Sequence, residues 1–300
     1  MRKSAATSLL DWGILFLLVL TWGSSFILMK RGLEHFSAIQ LAMLRLSFAG
    51  IFLLPFALRS LKKVNWKKLW YIALAGIIGN ALPSFLFAKA QTGIDSSLAG
   101  ILNSLTPLFT LIIGLLFFNY KARWINILGI FIGLVGTIGL MNISGNKSLD
   151  FNFSYGIYVI VATLLYAINL NIIKYFLDDT DSVTITAFAF LIIGIPAAAI
   201  LFLFTDFVGV IATQPDAITG IGYIAILGVV GSGLAVILYN RLIKTSGVLF
   251  AASITYMMPV VAILWGIADG EIFEPVYIFW ISLILLGVFL VNRSNSNDKS

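Results

Sequence analysis

The chain has 300 residues, of which 60% are hydrophobic and 11% charged, with a mean hydropathy of +1.03. A soluble domain is about 25% charged, so a chain this apolar cannot clothe a globular surface in polar groups and has lipid as its solvent. The formal charge is +6, there is no cysteine and there is a single histidine, His35, which excludes disulfides, thiolate metal sites, thiol nucleophiles and histidine-based dyads.

A helix needs about 20 apolar residues to cross a bilayer. Ten such runs follow one another: Trp12–Met29, Ala38–Leu58, Leu69–Ala88, Ser97–Phe118, Trp124–Met141, Ser154–Ile173, Val183–Phe204, Ile218–Tyr239, Leu249–Ala268 and Val276–Val291. They predict an all-α polytopic membrane protein with ten transmembrane helices and no loop long enough for a soluble domain. The basic Met1-Arg2-Lys3 start resembles a signal peptide. The run behind it is too long for that and lacks a small-residue cleavage pattern, so it reads as a membrane helix.

Lys and Arg set the expected orientation. With both termini cytoplasmic, that side holds Arg2, Lys3, Arg59, Lys62, Lys63, Lys67, Lys68, Lys121, Arg123, Lys174, Arg241, Lys244, Arg293 and Lys299. The other side holds only Lys30, Arg31, Lys89 and Lys147. The loop at 58–69 alone carries five cations. The expectation is a multi-pass protein of the plasma or inner membrane. The positive charge reads as topology, and no nucleic-acid partner is expected.

Two stretches match each other without gaps at a shift of 152 residues. Gly76 meets Gly228, Gly79 meets Gly231, Phe87 meets Tyr239, Lys89 meets Arg241 and Pro107 meets Pro259. Apolar bias would align leucines, but it would not align two Gly-x-x-Gly pairs, a cation and a proline. At a shift of 144, Trp22 meets Tyr166 and Lys30 meets Lys174. The pattern predicts two five-helix repeats, residues 1–146 and 147–300. Five is odd, so the halves must be inverted in the membrane. Charge agrees: the cationic 58–69 loop corresponds to a loop with Asp206 and Asp216 and no Lys or Arg. Likewise Lys121 and Arg123 correspond to a loop with Asp269, Glu271 and Glu274.

Enzyme chemistry is not expected. No carboxylate lies near the middle of a predicted helix, which leaves no aspartyl dyad and no carboxylate metal site. Gly231-Ser232-Gly233 is like a nucleophile turn, but it has no partner and reads as close helix packing. Neither a metal nor a cofactor is expected. The missing mid-membrane carboxylate also argues for a facilitator, or for coupling through an edge group such as Asp269 or Glu271.

Arg45 lies about seven residues into the second run, roughly 10 Å below the surface at about 1.5 Å per residue. A charge there is costly unless it snorkels or pairs. It reads either as a clamp on the structure or as an attractor for a carboxylate-bearing solute. Lys89 and Arg241 read as interface anchors. Pro107 and Pro259 are expected as mid-helix kinks at matching places, a pointer to a transport site. Trp22, Ser25, Asn80, Phe87, Asn103, Tyr166, Asn169, Tyr239, Asn240 and Tyr256 concentrate on runs 1, 3, 4, 6, 8 and 9. They predict a neutral, partly aromatic binding cavity for an uncharged or zwitterionic organic solute. Runs 5 and 10 have almost no polar side chains and read as packing helices or the interface of a homodimer.

The WGSSF segment at Trp22–Phe26, Arg45 within LAMLRLSFAG, AGILNSLTPLFT ending at Thr110, its echo AASITYMMPVVA and the late GEIFEP together resemble the EamA-like exporters of the drug/metabolite transporter superfamily. The resemblance covers essentially the whole chain. It implies ten helices with both ends cytoplasmic, a cavity from helices 1, 3, 4, 6, 8 and 9, and export of small metabolites such as amino acids. Asn119 departs from the glutamate that the family often carries after helix 4. The functional expectation is a secondary transporter working by alternating access on small amino-acid-like or amphipathic metabolites. A permease for sugar-like or purine-like metabolites is the alternative within transport, and a membrane receptor or scaffold is the alternative outside it.

Overall fold

The computed structural model describes residues 8–118, 123–143, 153–247, 250–251, 254–271 and 274–293. Among these residues the chain is helical and contains no strand. Its helices are α1 (Leu9–Leu33), α2 (Ala38–Ser60), α3 (Trp66–Ala90), α4 (Ser96–Phe117), α5 (Trp124–Ile143), α6 (Phe153–Phe176), α7 (Ser182–Phe204), α8 (Ala217–Ser246), α9 (Ile254–Ala268) and α10 (Val276–Arg293). Helices are forced here because hydrocarbon offers no partner for a backbone N–H or C=O. Local starts are well marked. Ser8 with Asp11, and Ser37 with Gln40, form capping boxes on α1 and α2, and Asp181 caps α7 through Thr184 N–H.

Seven of these helices, α1–α4 and α6–α8, are long and apolar enough to cross a membrane. Trp124–Gly136, Met257–Ala268 and Val276–Gly287 form shorter apolar helices. Large apolar side chains such as Ile51, Phe117, Trp124 and Phe204 lie exposed on the outside of the bundle, a surface that only lipid covers at low cost. This is a multi-pass membrane protein.

Three local features differ from the sequence reading. The loop expected at 204–218 contains a short helix, Phe207–Thr213. The backbone of α3 and α8 widens into π-type turns at Ile77–Ala81 and Leu227–Leu234, with bonds reaching five residues back, such as Leu82 N–H to Ile77 O. Pro107 does not kink a continuous helix. α4 is broken: it is α-helical over Ser96–Asn103, tightens at Ser104 and Leu105, and resumes at Thr106–Phe117 with Pro107 in the first turn. A proline fits there because the missing N–H is one that a helix start leaves unpaired anyway. The carbonyl it frees, that of Asn103, accepts from Thr106 Oγ1 at 2.8 Å. Pro259 does lie inside α9.

Helix pairs recur between the two halves. α2 crosses α7 at Gly50 and Gly194, where a Cβ on Gly194 would stand 3.2 Å from Gly50 Cα. α5 packs along α10, and a Cβ on Gly287 would stand 2.5 Å from Gly129 O. α1 lies on α8 and α9, and α6 lies on α3 and α4.

Candidate functional site

A cavity opens between the helices, with about 990 Å³ of space empty of protein atoms when the part open to solvent is included. Trp22, Ser25, Arg45, Asn80, Phe87, Asn103, Tyr166, Asn169, Tyr239 and Asn240 all line it. These ten are separated by up to 218 positions in the chain and were singled out in the sequence only by polarity or aromaticity in apolar runs. Tyr256, the remaining member of that set, has its side chain outside the described residues. The wall extends beyond the six expected helices. α2 contributes Arg45, and α7 contributes Ile185, Thr186 and Ala189, whereas the described side chains of α5 and α10 contribute nothing.

The aromatic wall is built crosswise. Trp22 meets Tyr239 edge-on at 4.8 Å between centroids, and Tyr166 stacks with Phe87 at 5.9 Å. Those are the sequence mates, exchanged between halves. Ser25 and Asn169, also mates at the shift of 144, sit against the π-turn glycines of the opposite half. Ser25 Oγ lies 3.2 Å from the place of a Cβ on Gly231, and Asn169 Oδ1 lies 2.9 Å from that of Gly79. A side chain at either glycine would fill the space these polar groups occupy. The indole N–H of Trp22 donates to Gly231 O at 2.8 Å, fixing the ring on the π turn.

Polar commitments differ along the wall. Asn240 Nδ2 donates to Thr186 Oγ1 at 2.9 Å, and Ser25 Oγ returns to Thr21 O at 2.9 Å, so both serve the scaffold. Asn103 Nδ2 reaches only Met258 Sδ among the described residues, at 3.7 Å. The carboxamide oxygens of Asn103 and Asn169 have no hydrogen-bond partner among the described residues. Arg45 Nε donates to Ser232 Oγ at 2.8 Å. Ser232, taken from the sequence as packing, is therefore a polar partner. A serine inside a glycine run carries no signal of a cation 187 positions away.

At one end of these helices a charge cluster ties three elements. Lys30, in the last turn of α1, lies 2.7 Å from Asp269 Oδ2 and 2.9 Å from Glu271 Oε1. Arg31 also pairs with Asp269, and with Glu34 at 2.8 Å. Glu271 accepts from the backbone N–H groups of Ser96 and Ser97, both at 3.2 Å, and from their hydroxyls at 2.6 and 2.5 Å. Asp95, at the N-cap position of α4, makes no side-chain cap bond. The helix is capped instead from the α9–α10 connection, where a carboxylate also meets the positive helix end. Burial raises the Glu271 pKa, but the bonds from Ser96, Ser97 and Lys30 outweigh it and hold the carboxyl below the usual glutamate range. Lys89 Nζ stands 5.7 Å from the ring centroid of Tyr155, as an interface anchor would.

An apolar helical bundle around a polar, aromatic cavity defines a membrane protein built to hold a small solute. The chain belongs to the EamA-like transporter family, whose model matches it twice in succession, at residues 11–142 and 154–293. It is 28% identical over 283 residues to the uncharacterized inner membrane transporter YedA of Escherichia coli K12, covering 93% of this chain and 90% of that one. An uncharacterized transporter of Archaeoglobus fulgidus is 25% identical, covering 94% and 98%. A probable terminal-alkyne amino-acid exporter of Streptantibioticus cattleyicolor is 22% identical, covering 93% and 92%. A protein of known crystal structure superposes with a TM-score of 0.67 at 16% identity, over 97% of this chain and 99% of that chain, and shares the fold.

Proposed function

We propose that this transporter is an exporter of small amino-acid-like or amphipathic metabolites, working by alternating access around the central cavity. One observation carries the reading: ten polar and aromatic residues dispersed along the chain line one cavity. The solute sits between two inverted five-helix repeats of ten spanning helices, residues 1–146 and 147–300. The crosswise Trp22–Tyr239 and Tyr166–Phe87 contacts and the meeting of Gly50 with Gly194 support that arrangement, because a two-fold relation brings a residue near the axis onto its own mate and repeats other contacts with the halves exchanged. Both termini face the cytoplasm of a plasma- or inner-membrane protein, as the Lys and Arg distribution supports. The relative named as an amino-acid exporter supports the substrate class and the direction.

Purified protein in liposomes, loaded with a panel of tritiated amino acids, tests this. Flux above empty liposomes is expected, falling roughly tenfold in Tyr239→Ala and Asn103→Ala, the effect of about 1.4 kcal/mol of lost binding. Flux at the empty-liposome level in both wild type and variants fits a receptor or scaffold instead and overturns the reading. An imposed pH gradient leaves a facilitator's flux unchanged. A flux driven strongly by the gradient overturns the facilitator.

A further inference from the structure

The cavity carries an unbalanced charge. Arg45 lines it, and a guanidinium keeps its proton at any physiological pH. A cation inside a membrane bundle is normally paired with a carboxylate or with carbonyls, because leaving it unpaired is costly. Here the bond from Nε to Ser232 Oγ is the one hydrogen bond or ion pair of the Arg45 side chain among the described residues. The described residues that line the cavity include neither Asp nor Glu. One of the five guanidinium N–H groups is thus engaged, and the four on the terminal nitrogens remain. Those four form the planar fork that matches a carboxylate with two parallel bonds.

The remainder of the wall is complementary to the other end of such a molecule. The carboxamide oxygens of Asn103 and Asn169 accept no hydrogen bond among the described residues, and Asn103 is only 4% exposed. Unpaired acceptors inside a protein call for a donor. The Trp22, Tyr239, Tyr166 and Phe87 rings add π faces that attract a cation. A molecule with a carboxylate at one end and an ammonium at the other satisfies all three features at once. A neutral sugar or purine leaves the arginine unpaired.

We propose that Arg45 binds the carboxylate of the transported solute and that Ser232 is its positioning residue, holding Nε so that the terminal nitrogens face the cavity. The solute is then a small amino acid taken as a zwitterion. This rests on the transport reading and is tested so that the two can fail separately.

The full-length protein in liposomes is given each tritiated amino acid of the panel alongside its carboxamide, which keeps the ammonium and side chain but lacks the carboxylate. The acid is expected to be transported and the amide to be rejected by at least roughly tenfold, since a site built to bond one group discriminates strongly against its absence. Arg45→Gln is expected to raise KM for the acid by roughly tenfold or more and to abolish the discrimination. Arg45→Lys keeps the charge but loses the fork and falls between. Ser232→Ala is expected to raise KM several-fold with kcat kept, and Ser232→Thr to restore it. Acid and amide carried equally well by the wild type overturn the proposal while transport stands. Because that comparison needs no variant, it holds even where Arg45→Gln does not fold. An unchanged KM for the acid in a folded Arg45→Gln also overturns it. Flux of neither acids nor amides overturns the transport reading and this one with it.

Discussion

Lys30 and Lys174 are equivalent residues of the two halves, and they end in opposite surroundings. Lys30 lies between Asp269 and Glu271, whose side chains are 7% and 5% exposed. Lys174 makes one 3.4 Å pair, with Asp178 on its own helix end, and both side chains are largely open. Among the described residues, further single polar contacts tie the Lys174 end. Thr245 Oγ1 donates to Asp11 Oδ1 at 3.2 Å, Lys244 Nζ donates to Leu177 O at 3.0 Å, and Lys68 pairs with Asp179 at 2.6 Å. The two halves thus keep the same helix crossings and differ in ionic chemistry at their ends. Asn119 stands at the position equivalent to Glu271, so the sequence already removes the carboxylate from that side.

The largest expected effect breaks the Glu271 end. Glu271→Ala removes the cap of α4 and one of the two counter-ions of Lys30, and is expected to cost roughly 3 kcal/mol, as for removing one partner of a buried pair. Glu271→Gln keeps an acceptor for Ser96 and Ser97 but not the charge, and is expected to cost about 2 kcal/mol. Thermal unfolding in detergent checks both. The same carboxyl gives a pH signature. Its folded pKa is depressed by Ser96, Ser97 and Lys30 despite burial. Its stabilisation is therefore complete above the ordinary glutamate range and is lost as the pH falls through the depressed value. The wild-type Tm is expected to lose this component in acid, and Glu271→Gln to lack it. An identical acid profile in the two proteins contradicts the cap.

An intermediate effect comes from the equivalent lysines themselves. Lys30→Met leaves two carboxylates facing one another with only Arg31 near and is expected to lower stability by roughly 1–3 kcal/mol. Lys174→Met removes an exposed pair and is expected to change it by less than about 0.5 kcal/mol. Equal losses in the two variants erase the contrast between the ends.

That contrast was only partly legible in the sequence. The cavity residues were visible because Asn, Ser, Tyr and Trp stand out in apolar helices, and duplication showed which of them correspond. The Gly76/Gly79 and Gly228/Gly231 pairs marked special backbone, yet nothing in residue type announces the π turns against which Asn169 and Ser25 pack. Pro107 was read as a kink within one helix and not as the start of a new segment, because that depends on Thr106 taking the orphaned carbonyl. The wall contribution of α7 and the capping of α4 by Glu271 were not legible. Each joins residues far apart in the chain, and a local pattern carries no record of which distant turn will arrive.

The smallest effect sharpens the comparison through salt. The Lys68–Asp179 pair joins the start of α3 to the α6–α7 connection, and Lys68 with Thr180 holds the Asp179 carboxyl below the usual aspartate range, the Lys68 bond most of all. Asp179 is 67% exposed, and an ion pair in water contributes less than about 1 kcal/mol. Salt at about 1 M shortens the screening length to about 3 Å, so this pair weakens where the Lys30 cluster, shielded by protein, keeps its strength. Asp179→Asn is therefore expected to lower the Tm slightly at low salt and not at all at high salt, while Glu271→Gln lowers it at both. The measurement is a salt series of unfolding curves on the two variants beside wild type. A salt-dependent loss in Glu271→Gln as large as that in Asp179→Asn places both clusters in water and removes the physical basis for treating the ends as different.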